Sequence, residues 1–191
     1  MYIAPELVDA CRRGDAEAFE SLVRQTNRSV YGLVYRIVGN AEDAADVTQD
    51  VYIRVWRSLK AFRGDANLGT WLHRVATNAA ITHLKKRGRL AEPVEDEMES
   101  RLAARDDEDD RLSADEVERA LERLPASYRV VVTLKDLYGF SCQEIGRQIG
   151  LTEGAVKVRL FRARRKLAED LLEGGVVVPM RRQVKRKKVQ G

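Results

Sequence analysis

The stretch SCQEIGRQIGLTEGAVKVRLFRARRK, residues 141–166, decides the fold of the second half of this 191-residue chain. Ser141 and Glu144 have the spacing of a capping box, so a helix is predicted to begin there. Gly146 is a small residue where two helices would cross, and Gly150 can take the positive φ of a turn. The apolar residues that can pack the two helices together are Ile145, Ile149, Leu151, Val156 and Leu160. This combination predicts a helix-turn-helix.

The second helix of this motif is strongly basic. Thr152 is its predicted N-cap, while Val156, Leu160 and Ala163 are predicted to point inward. Basic side chains beside a helix N-terminus suit a major groove lined by phosphates. The alternative is a surface helix whose charges are merely solvated, but the turn glycine and the small crossing residue favour DNA binding. The basic positions are Lys157, Arg159, Arg162, Arg164, Arg165 and Lys166.

The rest of the chain also reads as helix, because apolar spacing follows a helical period and no convincing alternating strand occurs. An all-α fold is therefore predicted. Trp56 and Trp71 fall on apolar stripes and are predicted to pack in the core. Three long helices are predicted before residue 88, and their limits, taken from caps and terminating glycines, are Asp15 to Gly39, Asn40 to about Phe62, and Thr70 to Gly88.

Charge is distributed unevenly and marks domain boundaries. Residues 1–88 carry 13 basic and 10 acidic side chains, and residues 113–173 carry 11 and 10, which is typical of folded domains. Residues 89–112 carry 4 basic and 10 acidic side chains and are predicted to be a flexible acidic linker. The tail, residues 174–191, has 6 basic residues and no acid, and is predicted to be disordered. Either added DNA affinity or solubility would explain it.

Several classes of protein are disfavoured. Cys11 and Cys142 form no CxxC pair, and His73 and His83 have no third ligand nearby, so neither a disulfide framework, a metal site nor a cofactor is predicted. The opening residues lack a signal-peptide apolar core, and no apolar run approaches a membrane span. A cytoplasmic protein without membrane insertion is expected.

Two blocks of sequence, residues 43–87 and 121–167, resemble the bacterial RNA polymerase sigma factors of the extracytoplasmic-function group. The resemblance spans roughly residues 15–172. It implies two helical domains without enzymatic chemistry, whose partners are core RNA polymerase, promoter DNA that is double-stranded at −35 and melted at −10, and an anti-sigma factor.

The resemblance also implies three sets of contact residues. The helix containing EDAADVTQDVYIRVW would dock on a coiled coil of the polymerase, the loop FRGDANLGTW and the helix after it would hold the opened −10 element, and the helix-turn-helix would read the −35 element. The polymerase set is Asp43, Asp46, Val47, Gln49 and Asp50. The −10 set is Arg63, Gly64, Asp65, Asn67, Asn78, Lys85 and Lys86. The −35 set is Thr152, Lys157, Val158, Arg159, Phe161, Arg162, Arg164 and Arg165, of which Arg159, Arg164 and Arg165 are placed for phosphates.

Three other functions compete with the sigma-factor interpretation. A stand-alone helix-turn-helix regulator with a sensing or dimerising first domain would bind its operator without polymerase. An enzyme with a DNA-binding appendage would need a nucleophile–base pair, a metal cluster or a phosphate loop, and none is evident in the sequence. A structural nucleoid protein should be more uniformly basic.

Overall fold

The computed structural model describes residues 3–62, 67–91 and 114–173, and the regular secondary structure in these ranges is helical, which confirms the all-α prediction. The helices are α1 (Pro5–Arg12), α2 (Ala16–Val38), α3 (Ala41–Ser58), α4 (Leu68–Lys86), α5 (Ala114–Arg123), α6 (Ala126–Val132), α7 (Cys142–Ile149) and α8 (Glu153–Glu173). A 3₁₀ turn, Leu59–Ala61, follows α3, and a π-helical turn, Thr133–Leu137, follows α6.

Both ends of α2 and the start of α3 lie where capping residues predict them, whereas α3 ends at Ser58, before the predicted limit near Phe62. The Asp15 side chain accepts from the Ala18 amide at 3.0 Å, and the Asn40 side chain accepts from the Asp43 amide at 2.8 Å. Gly39 ends α2 in the left-handed region, with φ of 80°. Each of these contacts satisfies a terminal backbone group that the helix cannot pair internally.

Two helices of the first half differ from the prediction. The cap of α4 is Asn67, whose side chain accepts from the Gly69 amide at 2.8 Å, so the helix begins before Thr70. The short helix α1 was not predicted at all. It covers a small apolar cluster that includes Cys11 and Leu22, and burial there raises the pKa of the Cys11 thiol.

The helix-turn-helix of α7 and α8 has the predicted geometry. Ser141 and Glu144 form a reciprocal capping box, and the Thr152 hydroxyl accepts from the Ala155 amide at 3.2 Å. Gly150 has φ of 83° and makes the turn. At Gly146 the backbone of the turn passes so close to α7 that an added Cβ would lie 2.5 Å from the Leu151 carbonyl oxygen. Both glycines are therefore required by the backbone.

Gly146→Ala is expected to destabilise the protein by about 2 kcal/mol, because a backbone oxygen cannot move aside as a flexible side chain can. The matched control is Gly154→Ala in α8, where the nearest atom to a new Cβ is the Thr152 hydroxyl at 4.0 Å. Urea unfolding of both variants measures the difference. Equal stability of the Gly146 variant and the wild type would show that the turn backbone does not pass this close to α7.

The two halves of the described chain share one core. Buried residues of α2, α3 and α4 are continuous with buried residues of α5 to α8 in a single apolar cluster. Helix α2 packs against α5 and α6, and α4 packs against α7. Within the described ranges no helix combines the length and apolar character that crossing a bilayer requires.

Candidate polymerase-binding and nucleic-acid-binding surfaces

One face of α3 combines exposed acidic and apolar side chains. Asp46, Gln49 and Asp50 are exposed, and Ile53 and Trp56 continue the same side of the helix with 43% and 39% of their surface exposed. Positions three and four apart lie together on a helix, so these side chains form one strip. We call Asp46, Gln49, Asp50, Ile53 and Trp56 the α3 strip.

The prediction that Trp56 packs in the core was wrong, whereas Trp71 lies partly buried against the core as predicted. The inward side of α3 is filled by Val47, Val51 and Val55, which turns Trp56 to the flank of the helix. There its ring lies beside the Phe19 ring, with centroids 4.8 Å apart. The Phe19 ring therefore supports one side of the exposed indole.

Two residues of the predicted polymerase set are not at the surface. Val47 is 3% exposed and belongs to the core. Asp43 is also 3% exposed, because charged groups near the end of α4 close over it. Its carboxylate lies 3.2 Å from His83 Nε2, 2.8 Å from Arg87 and 3.3 Å from Arg89. Asp43 thus links the start of α3 to the end of α4. Because Val47 and Asp43 are both buried, neither side chain is available to contact polymerase.

The ionisation of Asp43 reflects this position. The side-chain amide of Asn40 donates a 2.7 Å hydrogen bond to the Asp43 carboxylate. This hydrogen bond is the main cause that holds the pKa of Asp43 below its ordinary value of 3.8. Burial opposes this shift, while the hydrogen bond with His83 and the charges of His83 and Arg87 reinforce it. The carboxylate is consequently charged at neutral pH and serves as an anchor for cations.

The predicted −10 residues that the structure describes are exposed on α4 or at its start. Asn67 caps the helix, while Asn78 and Lys86 face outward. The Lys85 ammonium donates to the Gln148 carbonyl of α7 at 2.9 Å. The remaining three members of the set, Arg63, Gly64 and Asp65, lie outside the described residues.

The outer face of α8 presents two large apolar side chains. Val158 and Phe161 are 52% and 69% exposed and lie three positions apart, so they share a face. Lys157 beside them makes an ion pair with Glu153 at 2.6 Å. An exposed phenylalanine on a basic helix matches the chemistry of contact with a thymine methyl group.

The predicted phosphate contacts on α8 differ in their surroundings. Arg164 makes a two-point pair with Asp136, one bond of which is 3.0 Å, and Arg165 lies 3.6 Å from Glu169. Arg159 is only 6% exposed, so its predicted contact with a DNA phosphate does not fit this structure. It lies three residues after Val156 on the inward stripe of α8, which explains the burial.

Sequence reasoning missed Ile53 and Trp56 as members of the α3 strip. Their signal was present, because both continue the helical spacing of Asp46, Gln49 and Asp50. From the sequence alone, an apolar side chain at the edge of an apolar stripe is assigned to the core. The packing of α3 in the structure is what shows that Ile53 and Trp56 lie on the exposed flank of the helix and not in the protein interior.

Both halves of the chain match known protein families. Residues 22–90 match the family model Sigma-70 region 2, and residues 114–167 match Sigma-70, region 4. The RNA polymerase sigma-H factor of Pseudomonas aeruginosa is 35% identical over 87% of this chain and 92% of its own. The ECF RNA polymerase sigma factor SigE of Mycolicibacterium smegmatis is 38% identical over 81% of this chain, which spans 62% of that protein.

Solved structures share the fold. The sigma factor RpoE of Bartonella quintana, in complex with the anti-sigma factor NepR, aligns with a TM-score of 0.54 at 23% identity, over 82% of this chain and 98% of its own. CnrH, in complex with the cytosolic domain of CnrY, aligns with a TM-score of 0.51 at 23% identity, over 88% and 96%. Together with the sequence relatives, the two region matches give no support to a stand-alone regulator. The chain belongs to the extracytoplasmic-function group of the sigma-70 family of RNA polymerase sigma factors.

Proposed function

We propose that this sigma factor docks on core RNA polymerase through the α3 strip. The observation that carries the proposal is an exposed apolar pair, Ile53 and Trp56, continued along α3 by the exposed Asp46, Gln49 and Asp50. An aromatic anchor that becomes buried on binding supplies affinity, and acidic side chains at its rim steer a basic partner. The partner surface that fits is a basic coiled coil with an apolar seam.

Promoter recognition is divided between the two halves. The exposed face of α8, with Val158 and Phe161 flanked by Lys157 and Arg162, is proposed to read the −35 element in the major groove. Asn78 and Lys86 on α4, with the segment before Asn67, are proposed to hold the −10 element once its strands separate. In this proposal α8 reads the −35 sequence and α4 holds the opened −10 strand.

The chain itself is proposed to catalyse no bond formation. The polymerase carries out RNA synthesis, and the sigma factor makes initiation specific by joining two weak DNA contacts to one polymerase contact. Once the polymerase–sigma complex has bound one promoter element, binding of the other element becomes effectively intramolecular, which raises the affinity for the whole promoter. The protein is accordingly proposed to act in the cytoplasm, where polymerase and chromosome are.

An anti-sigma protein is proposed as a second partner. The Bartonella quintana relative was solved with an anti-sigma factor, and the present chain exposes an apolar side chain, Phe161, on its DNA-reading face. A protein that covers Phe161 and the α3 strip together would block both polymerase and promoter. Its interface would be apolar at the centre and acidic opposite α8.

Phe161→Ala is expected to weaken binding of the holoenzyme to promoter DNA about tenfold, because a well-placed base contact is worth roughly 1–3 kcal/mol. The effect should disappear on a template whose −35 thymines are replaced by uracils, since the methyl group is then absent. Fluorescence anisotropy with labelled promoter measures both. Leu137→Ala, another residue with an exposed apolar side chain, is the matched control. Equal loss on thymine and uracil templates would argue against a methyl contact.

A further inference from the structure

An open cavity of about 640 Å³ lies between α2 and the residue that follows the π-helical turn. Small-molecule sites usually have about 300–1,000 Å³, so this cavity has room for a ligand much larger than an inorganic ion. The part of its lining that α2 contributes spans residues 25–36 at intervals of three and four, which places these side chains on one side of the helix. None of the surfaces proposed for polymerase or DNA includes them. The side chains that line the cavity are Gln25, Arg28, Ser29, Tyr31 and Arg36 of α2 and Tyr138.

The side chains on one wall of the cavity hold each other in place. Arg36 pairs with Glu118, and its Nη1 donates to the Tyr138 hydroxyl at 3.2 Å. The Tyr138 ring stands edge-on to the His73 ring, with centroids 5.6 Å apart, and His73 Nε2 lies 3.1 Å from the Ser29 hydroxyl oxygen. The wall therefore presents an aromatic ring and a guanidinium in defined positions before a ligand arrives, which reduces the entropy lost on binding.

The π-helical turn, Thr133–Leu137, brings Tyr138 to this wall. The Tyr138 amide donates to the Thr133 carbonyl, five residues back, at 3.2 Å. Turns of this type are rare in helices and are frequent at functional sites. An irregular turn at the edge of a cavity is consistent with a binding role for the residue that the turn presents.

Arg28 supplies a second guanidinium to the cavity. It is exposed, and within the ranges that the structure describes its side chain makes no ion pair or hydrogen bond. Glu118 balances the charge of Arg36, so the charge of Arg28 is the one that remains uncompensated at the cavity. Arginine binds phosphate through two parallel hydrogen bonds, and a guanidinium without a protein partner can give its donors to a ligand. The cavity therefore favours a ligand with a single phosphate group.

Gly32 keeps the α2 side of the cavity open. It lies in the interior of a helix, where glycine is less favourable than any residue except proline. A Cβ at this position would lie 3.5 Å from Arg36 Nη1, which is an ordinary contact, and among the described residues no other side chain beyond its chain neighbours is within 4 Å. Packing therefore does not require a glycine here. A larger side chain would extend into the cavity.

We propose that this cavity is a binding site for a nucleoside monophosphate, whose phosphate is held by Arg28 and Arg36. The base lies against the rings of Tyr31 and Tyr138, because aromatic side chains stack on the planar face of any base. The Tyr31 ring is itself supported by the Tyr35 ring, with centroids 6.1 Å apart. The site is separate from the polymerase and DNA surfaces, so the proposal does not depend on the roles assigned to α3, α4 and α8.

The test is a titration of the ¹⁵N-labelled full chain with the four ribonucleoside 5′-monophosphates, followed by two-dimensional NMR. At least one of them should shift the amide signals of Gly32 and Tyr138 in a saturable way, with an affinity about tenfold higher than that of inorganic phosphate, because the base adds stacking to the phosphate contact. Shifts confined to the basic helix α8 would overturn the proposal, since they would show only general attraction to the DNA-reading surface. Equal affinity for nucleotide and phosphate would also overturn it.

Arg28→Gln should weaken binding of the nucleotide and of inorganic phosphate about tenfold, because hydrogen bonds to a charged group are lost. The matched control is Arg24→Gln, which removes the same charge from α2 one turn earlier. Arg24 is exposed, pairs with Glu20 and does not line the cavity, so its variant should bind within about twofold of the wild type. An equal loss in both variants would mean that α2 attracts anions in general, and it would contradict the site.

Gly32→Leu tests the cavity without a change of charge. The leucine side chain should fill the space that the nucleotide needs and abolish the shift at Tyr138, while circular dichroism should show a folded protein, since leucine favours a helix more than glycine does. Tyr31→Leu covers the case in which Gly32→Leu does not fold. It removes one ring and should weaken nucleotide binding while leaving the affinity for inorganic phosphate unchanged. Wild-type nucleotide affinity in either folded variant would overturn the proposal.

Discussion

Trp56→Ala is expected to weaken the binding of core RNA polymerase by about 30-fold or more, since truncation of a central aromatic anchor typically costs at least about 2 kcal/mol. Trp56 is already 39% exposed, so the same change should cost the isolated protein much less stability than a core tryptophan would. Biolayer interferometry with immobilised core polymerase measures the affinity.

The control for this result is Leu137→Ala, which removes an exposed apolar side chain, 46% accessible, from the opposite half. It should leave polymerase affinity within about twofold of the wild type. Ile53→Ala should act in the same direction as Trp56→Ala, with a smaller loss. Wild-type affinity in both α3 variants would refute the α3 strip as the docking surface.

Asp43→Asn is expected to reduce the free energy of unfolding by about 2 kcal/mol, because it leaves partly buried cations without their carboxylate. Asp50→Asn, on the exposed side of the same helix, should leave stability within about 0.5 kcal/mol. For polymerase affinity the order should reverse, because Asp50→Asn changes a side chain of the α3 strip and should weaken binding more than Asp43→Asn does. Urea unfolding and the polymerase affinity assay together separate the two carboxylates. Equal stability of the two variants would contradict the anchoring role of Asp43.

The role of Asp43 also predicts a pH dependence. Its pKa in the folded protein is lowered from 3.8, so its contribution to stability is fully present above that value and is lost as the pH falls through the folded pKa. The wild type should therefore lose more stability than Asp43→Asn on acidification below about pH 4. Parallel stability curves for the two proteins over this range would argue against a charged anchor.

Local chemistry predicted much of the fold. Helix limits at Asp15, Asn40 and Gly39 follow from bonds between a side chain or turn and the nearest backbone groups, so neighbouring residues are sufficient to predict them. The same holds for Ser141 and Gly150 in the helix-turn-helix. The start of α4 was misplaced because Asn67 and Thr70 both have capping side chains, and spacing alone does not choose between them.

The remaining features depend on contacts between distant parts of the chain. Asp43 and Asp46 are three residues apart on one helix, and Asp43 is buried where His83, Arg87 and Arg89 lie against it. Arg129 appears in the sequence as an ordinary basic residue of a helix, but its guanidinium donates to the Ile37 and Val38 carbonyls at the end of α2. No local pattern encodes such a contact, so it could be found only in the structure.

The most direct measurement is transcription in vitro with purified core polymerase on a library of promoters with varied −35 and −10 elements, with and without this protein. We expect specific transcripts only when both components are present, with a shared sequence at each element, and loss of those transcripts with Trp56→Ala. Tight DNA binding by the protein alone, with no association with core and no transcript, would contradict its function as a sigma factor.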